Sequence, residues 1–474
     1  MWRRPIAVLT PLIAYLLFPT RNYYWDGVAF AISIEKKPPA AELIHPNHLI
    51  YELWGALLYY LLGSQSLGIR ALHVMQVANC LMAGLAVVLL YQCLRCQGWS
   101  HHHGLIAAWT FGFSATWWKF ATDANAYVPA VCLLLGAYLL LENPRTAALA
   151  GLAQAGAMLF HELAILFLPV AVMLLWKRRA SLAGYCAAAL APVAAAYLWA
   201  YRLAVSGGAH GRFWEWVTSY SPDAGFSSRL LSDAGYTFRG TLRLFLGGRI
   251  VDFVRNPLSV AAALLLLIAV AALLFYLWWA VPIRWSRPPR HLLLWAGVYV
   301  AFLFFWMPQN TFYRLFYLAP LVLMLSTMVE DSLRIHLAGF ALVAVLALWN
   351  CVFLVYPESR ATFNAPLRFA LAQHDSWPPG TAIVFHRFHP DLWTISYFNQ
   401  QAAWMTLARA DVAQMDRDLD YSHHQGTPLW VEQNAYELLM GNPDGQHWLA
   451  QHEKAQELVR FRDEKHEFVF HSMR

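Results

Sequence analysis

Long apolar runs alternate with short polar breaks from the start of the chain to about residue 356. A helix needs about 20 mostly apolar residues to cross the roughly 30 Å hydrocarbon core, and fewer where polar ends reach the interface. That criterion predicts spans over 5–19, 71–94, 103–118, 128–141, 146–160, 163–176, 182–203, 257–281, 291–306, 311–328 and 335–355, about 11 in all. The run 49–63, "LIYELWGALLYYLLG", differs: it carries Glu52 and at 1.5 Å per residue reaches only about 22 Å. From about residue 357 the pattern shifts to Asp, Gln, His, Pro and Gly. Short β-like pieces ("TAIVFHRF", "PLWVEQ") stand there among helical ones such as "AQHEKAQELVRFRDE", which predicts a small α/β domain over 357–474.

Basic residues set the orientation. The richest short basic segments are "WRR" at 2–4, "KRR" at 177–179 and "RWSRPPR" at 284–290, and all three belong on the cytoplasmic side. They agree only if 49–63 rests in the interface. The segments 28–36 and 49–63 are therefore expected as juxtamembrane helices within one outer loop, 20–70. The N-terminus is then cytoplasmic, as an uncleaved first span, and the C-terminal domain is extracytoplasmic. A second outer segment, 204–256, is rich in Trp, Tyr and Arg and too polar to span. The fold class expected is an α-helical polytopic membrane protein, with residues 1–356 as its transmembrane domain.

Composition strengthens this reading. The 474 residues are 59% hydrophobic and only 13% charged, about half the charged share of an ordinary soluble domain. With 22 Trp and 22 Tyr the chain has ample material for interfacial belts. The net charge of +6 suits cytoplasmic loops, and without a basic tract no nucleic-acid partner is expected. The six cysteines lie in or beside apolar runs, and Cys93 with Cys96 is an isolated CxxC at a helix end, so no disulfide framework is expected.

Chemistry collects in the outer turns. Asp26, in "YYWDG", is either a partly desolvated base or a helix cap. His45 and His48, in "HPNH", form an ordinary helix start or a polar surface for phosphate or metal. "KFATDANAYVPA" gathers Asp123, Asn125 and Tyr127 in a turn that is either solvated or functional. "LFHELAI" sets His161 and Glu162 between apolar helices with almost no loop, which marks them as functional candidates. In "MPQNTFYRLFYLAP", Arg314 beside Tyr317 can bind phosphate bidentately or snorkel to the interface. "GWSHHHG" falls on the cytoplasmic side as a hydrated helix start, where three successive His can bind metal adventitiously. An acid, histidines and an arginine on one face suit a phosphate-bearing lipid that reacts at its head.

In their order, these features resemble the GT-C superfamily of membrane glycosyltransferases, which includes protein O-mannosyltransferases and the lipid A aminoarabinose transferase. The resemblance covers roughly 5–180, through Asp26, "HPNHLIYELWGALLYYLLG", Arg70, "TDANAYVPA" and "HELAILFLP", and returns at "YRLFYLAP". It implies a sugar transfer from a polyprenyl-phosphate-linked donor to an acceptor on the extracytoplasmic face, by inverting displacement with Asp26 as base. His45, His48, Asp123, Asn125, Tyr127, His161, Glu162, Arg314 and Tyr317 would then bind donor or substrate. No cofactor is implied firmly. A divalent metal is possible but unsupported, because Asn125 stands where relatives often carry the second acid. Two other classes remain open: a transporter or flippase of lipid-linked substrates, and a non-catalytic GT-C-like scaffold.

Overall fold

The computed structural model describes residues 6–37, 39–206, 212–218, 226, 229–248, 257–280, 286–374, 376–387, 389, 391–407, 413, 428–452, 454–462 and 467–473. The "WRR" start, much of segment 204–256 and part of "RWSRPPR" lie outside them. The chain divides into two units: Met1–Thr20 with Phe30–Pro357, and Arg21–Ala29 with Glu358–Arg474.

The first unit is helical. Among the described residues, Ala71–Cys96, Arg179–Ser206 and Leu333–Glu358 are long and apolar enough to cross a membrane. Ala7–Leu17, Tyr127–Leu141, Glu162–Leu175, Arg290–Phe305 and Phe312–Met328 are shorter apolar helices. Tyr51–Leu61 has 11 residues, about 16 Å of helix, roughly half a hydrocarbon core.

Several predicted spans are broken inside. The run 103–118 becomes His101–Gly112 and Ala115–Ala121. Ser114 Oγ donates to the Phe111 carbonyl (2.6 Å), and Tyr15 donates to that of Gly112 (2.7 Å). A Cβ on Gly112 would meet Pro11 at 2.8 Å, so the helices touch backbone to ring only because the residue is Gly. Asn350, fully buried, donates to the carbonyls of Phe113 (2.8 Å) and Phe245 (2.7 Å) and accepts from the Gly247 amide (3.1 Å). The run 163–176 likewise opens with a 3₁₀ turn, Glu162–Phe167, before Leu168–Leu175. Irregular backbone survives in an apolar setting only where its polar groups are satisfied internally, which these side chains do.

The second unit is α/β. Strands β1 (Ala382–His386), β2 (Ala403–Leu407), β3 (Leu429–Glu432), β4 (Lys454–Arg462) and β5 (Glu467–Met473) form one sheet in the order β2-β1-β3-β5-β4. β1 is parallel to β2 and β3, whereas β5 is antiparallel to β3 and β4. Phe369, Trp377, Phe385 and Phe470 pack one face; Val384, Val431, Leu439 and Trp448 pack the other. "AQHEKAQELVRFRDE", expected as helix, is in fact mostly β4. Its Glu, Gln and Lys favour helix, but pairing with β5 places Phe461 beside Phe468 and Phe369, and that packing overrides propensity.

All six cysteines are free; Cys93 and Cys96 lie in the last turn of Ala71–Cys96.

Candidate functional site

The polar turns predicted to converge are best built outward from helix Ala71–Cys96. Two amides on its buried face, Gln76 and Asn79, reach out to neighbouring backbone. Gln76 donates to the carbonyls of Thr20 (3.0 Å) and Thr122 (3.1 Å). Asn79 donates to those of Asp123 (2.9 Å) and Asn125 (2.8 Å), and accepts from the Tyr51 hydroxyl (3.3 Å). The turn 122–126 is thereby held from below. Asp123 Oδ1 accepts from the Ala124 amide (2.8 Å), and Asn125 Oδ1 from that of Val128 (3.1 Å), where it opens helix Tyr127–Leu141. Asp123 and Asn125 are both buried, and the bonds they make shape the turn and aim Tyr127.

Tyr127 stands at the centre of a chamber of rings. Its ring centroid lies 4.9 Å from His161, 5.9 Å from His48, 5.2 Å from Phe312 and 5.7 Å from Tyr313. His48 stacks on His45 at 5.5 Å and meets His161 edge-on at 4.9 Å, with Phe30 closing one side at 5.8 Å. Three histidines from two distant stretches are thus in ring contact. His48 ends a one-turn 3₁₀ helix, Pro46–His48, anchored where Tyr197 donates to the Pro46 carbonyl (2.7 Å). His161 breaks helix Ala147–Phe160 and caps the next turn, its Nδ1 accepting from the Leu163 amide (3.2 Å). Glu162, half-buried, is the first residue of that turn.

Burial makes these imidazoles poor bases. Desolvation lowers His45 to about 4; with the charge of His45 nearby, it lowers His48 to about 3. His161 is driven well below the ordinary value for the same reason, and then by its two neighbours. At neutral pH the set offers uncharged N–H donors and lone pairs. His48 Nδ1 is buried without a hydrogen-bond partner.

Arg314, next in the chain to Tyr313, is fully buried. Its guanidinium donates to the Tyr317 hydroxyl (2.8 Å) and to the carbonyls of Tyr236 (3.3 Å) and Pro308. Tyr317 in turn shares a hydrogen bond with Thr241 (2.9 Å). A Cβ on Gly240 would lie 2.7 Å from Arg314 Cζ, so helix Leu230–Phe245 can pass this close only with Gly there. Among the described residues no carboxylate pairs with Arg314, and its Nε has no acceptor. Asp233 Oδ2 and Thr237 Oγ1, one turn apart on the same helix, are also buried and unpartnered.

Asp26 is placed differently. It sits in the first turn of helix Trp25–Glu35, 9% exposed, within the segment Arg21–Ala29 that belongs to the C-terminal unit. The amides of Arg21 (2.6 Å) and Asn22 (3.2 Å) donate to the Glu358 carbonyl; Asn364 donates to that of Arg21, and Tyr23 packs on Phe398 at 6.0 Å. At the far end of the same helix, Glu35 pairs with Arg70 (2.9 Å) and accepts from the Ala71 amide (2.8 Å), starting the long helix. The histidines, Tyr127, Asp123, Asn125, Arg314 and Tyr317 all belong to the helical unit.

No family model matches the chain, and no curated protein matches it by sequence. Among solved structures, it is similar to ArnT from Cupriavidus metallidurans in the apo state, with a TM-score of 0.50 and 12% identity over 98% of this chain and 97% of that one. The same protein bound to undecaprenyl phosphate aligns over the same shares at 12% identity with a TM-score of 0.45. The fold is that of ArnT. ArnT is an aminoarabinose transferase of GT-C fold. At this identity, likeness to ArnT speaks to architecture alone, and the chemistry rests on this chain's own side chains.

Sequence reasoning missed Gln76, Asn79, Asn350 and Gly240. The three amides lie inside long apolar runs, where their one visible signal was an amide in place of Leu, and Gly240 lies in the polar segment 204–256, where nothing marks it out.

Proposed function

We propose that the chain is an integral membrane glycosyltransferase. It moves a sugar from a polyprenyl-phosphate-linked donor to an acceptor on the extracytoplasmic face, by a single inverting displacement. The observation that carries this reading is Arg314, a fully buried cation with no carboxylate partner among the described residues. An uncompensated buried charge is costly by several kcal/mol, and an anionic ligand such as a lipid phosphate offsets that cost. The ArnT-like fold and the ring of neutral histidines support the same reading.

In this mechanism the Asp26 carboxylate takes the proton of the acceptor hydroxyl as its oxygen bonds to the anomeric carbon. The bond from that carbon to the phosphate oxygen breaks, and its electron pair leaves with the polyprenyl phosphate. The departing anion needs charge and N–H donors more than a proton, which Arg314 through its field and His45, His48 and His161 through their imidazoles can supply. Tyr127 and Tyr317 position these groups, Asp123 and Asn125 shape the turn beneath the donor, and Glu162 borders it. No step needs a metal.

The test is Asp26→Asn in purified protein supplied with a polyprenyl-phosphate sugar. Transfer should fall by about 10²–10⁴, the range of a lost general base, with donor binding retained. Full transfer by this variant would overturn the assignment of Asp26. Failure of the wild-type protein to release sugar from any such donor, while it still binds or moves the lipid, would favour a transporter.

A further inference from the structure

At the other end of helix Ala71–Cys96, about 39 Å of helix away from Ala71, lies a second polar cluster, outside the candidate site described above. Helix His101–Gly112 begins there with Ser100 as its cap, and helix Leu333–Asn350 begins with Ser332 as its cap. Between the two starts, His103, Asp331 and His336 each present a ligand atom within 4.8 Å of the others.

We propose that this cluster is a binding site for a borderline divalent transition metal of the Zn²⁺ class, held by His103, Asp331 and His336 with water completing the shell. Two imidazoles and one carboxylate are a donor set such ions favour, at about 2.0–2.2 Å per bond. Tetrahedral ligands at that length stand about 3.4 Å apart. The present spacings bracket this value: His336 Nε2 lies 2.6 Å from Asp331 Oδ1, and no pair exceeds 4.8 Å.

The surroundings orient the ligands as outer groups of metal sites do. His103 is buried and stacks on Trp99 at 4.4 Å. Its Nε2 donates to the Ser326 carbonyl (2.8 Å), so the other ring nitrogen keeps the lone pair a metal takes. The Asp331 carboxylate is fixed on both oxygens: Ser100 donates its amide to Oδ2 (2.7 Å) and its hydroxyl to Oδ1 (2.7 Å). Asp331 is exposed and His336 partly so, which gives the ion an entry path. Two helix N-termini point positive dipole ends at this spot and oppose a cation, so Asp331 is indispensable. A bound ion ties the start of one helix to the start of another, 231 residues apart by the Ser100–Asp331 contact.

The test uses full-length protein purified without a histidine tag, loaded with Zn²⁺ and dialysed. Elemental analysis should find one zinc per chain, and Co²⁺ in its place should give visible d–d absorption. Asp331→Asn and His336→Gln, at solvent-reachable positions, should each cut zinc content at least tenfold, and EDTA should lower the Tm of the wild type but not of either variant. Less than a tenth of a zinc per wild-type chain overturns the proposal. So does equal zinc in the wild type and both variants, which would mean the ion sits elsewhere. Neither readout depends on transferase activity, so this proposal and the proposed function fail separately.

Discussion

Two histidine clusters occupy opposite ends of one long helix and solve opposite problems. His45, His48 and His161 stack among Phe30, Tyr127 and Phe316, and burial holds them neutral. His103 and His336 share Asp331. Although partial burial raises its carboxyl, the two hydrogen bonds from Ser100 and the one from His336 hold it below the ordinary value. The first cluster keeps its rings uncharged; the second keeps a charge in place. Identical side chains act as a neutral wall or as a cation clamp according to burial and to whether an acid stands beside them.

The largest test of this contrast inserts a charge into each cluster. His48→Lys places an unpaired ammonium where the ring is 7% exposed, which should cost about 3–5 kcal/mol or prevent folding, whereas His336→Lys beside Asp331 should change stability by less than about 1 kcal/mol. Thermal unfolding in detergent, followed by Trp fluorescence, reads both. Equal losses would erase the distinction. Titration is the next test. The folded values of His45 and His48 lie below the unfolded 6.5, so their stability contribution is whole above pH 6.5 and is lost as pH falls toward 4 and below. The midpoint in denaturant should drop over pH 6.5 to 4 in the wild type, and less steeply in a His45→Gln/His48→Gln variant. A parallel drop in both would place the acid sensitivity elsewhere. A smaller effect is expected at the anchor of the 3₁₀ turn, where Tyr197→Phe removes one hydrogen bond to Pro46, worth about 1 kcal/mol. The same melt should show a shift of a few degrees at most, and none if that turn is held by packing alone.

The comparison also shows what could be read in advance. The membrane class and the α/β tail followed from hydropathy and from the change of composition near residue 357, both local signals. What stayed hidden was non-local. That Asp26 folds with the C-terminal unit depends on Arg21 and Asn22 meeting Glu358, more than 330 residues away. "GWSHHHG" does open a helix, but its tie to Asp331 and His336 depends on how the bundle closes, which no short window carries. Arg314 read as an interfacial or phosphate-facing cation, yet its guanidinium lies packed against Gly240, because only the passing helix reveals what covers it. β4 reads as helix by its composition, and only its pairing with β5 supplies the packing that decides.

Gln76 and Asn79 have a consequence for hydration. Their amides take up the carbonyls of Thr122, Asp123 and Asn125 from within the protein, so the polar groups of that bend are satisfied without solvent standing there. Two uncharged carboxamides thus let the chain change direction among apolar neighbours without adding a charge.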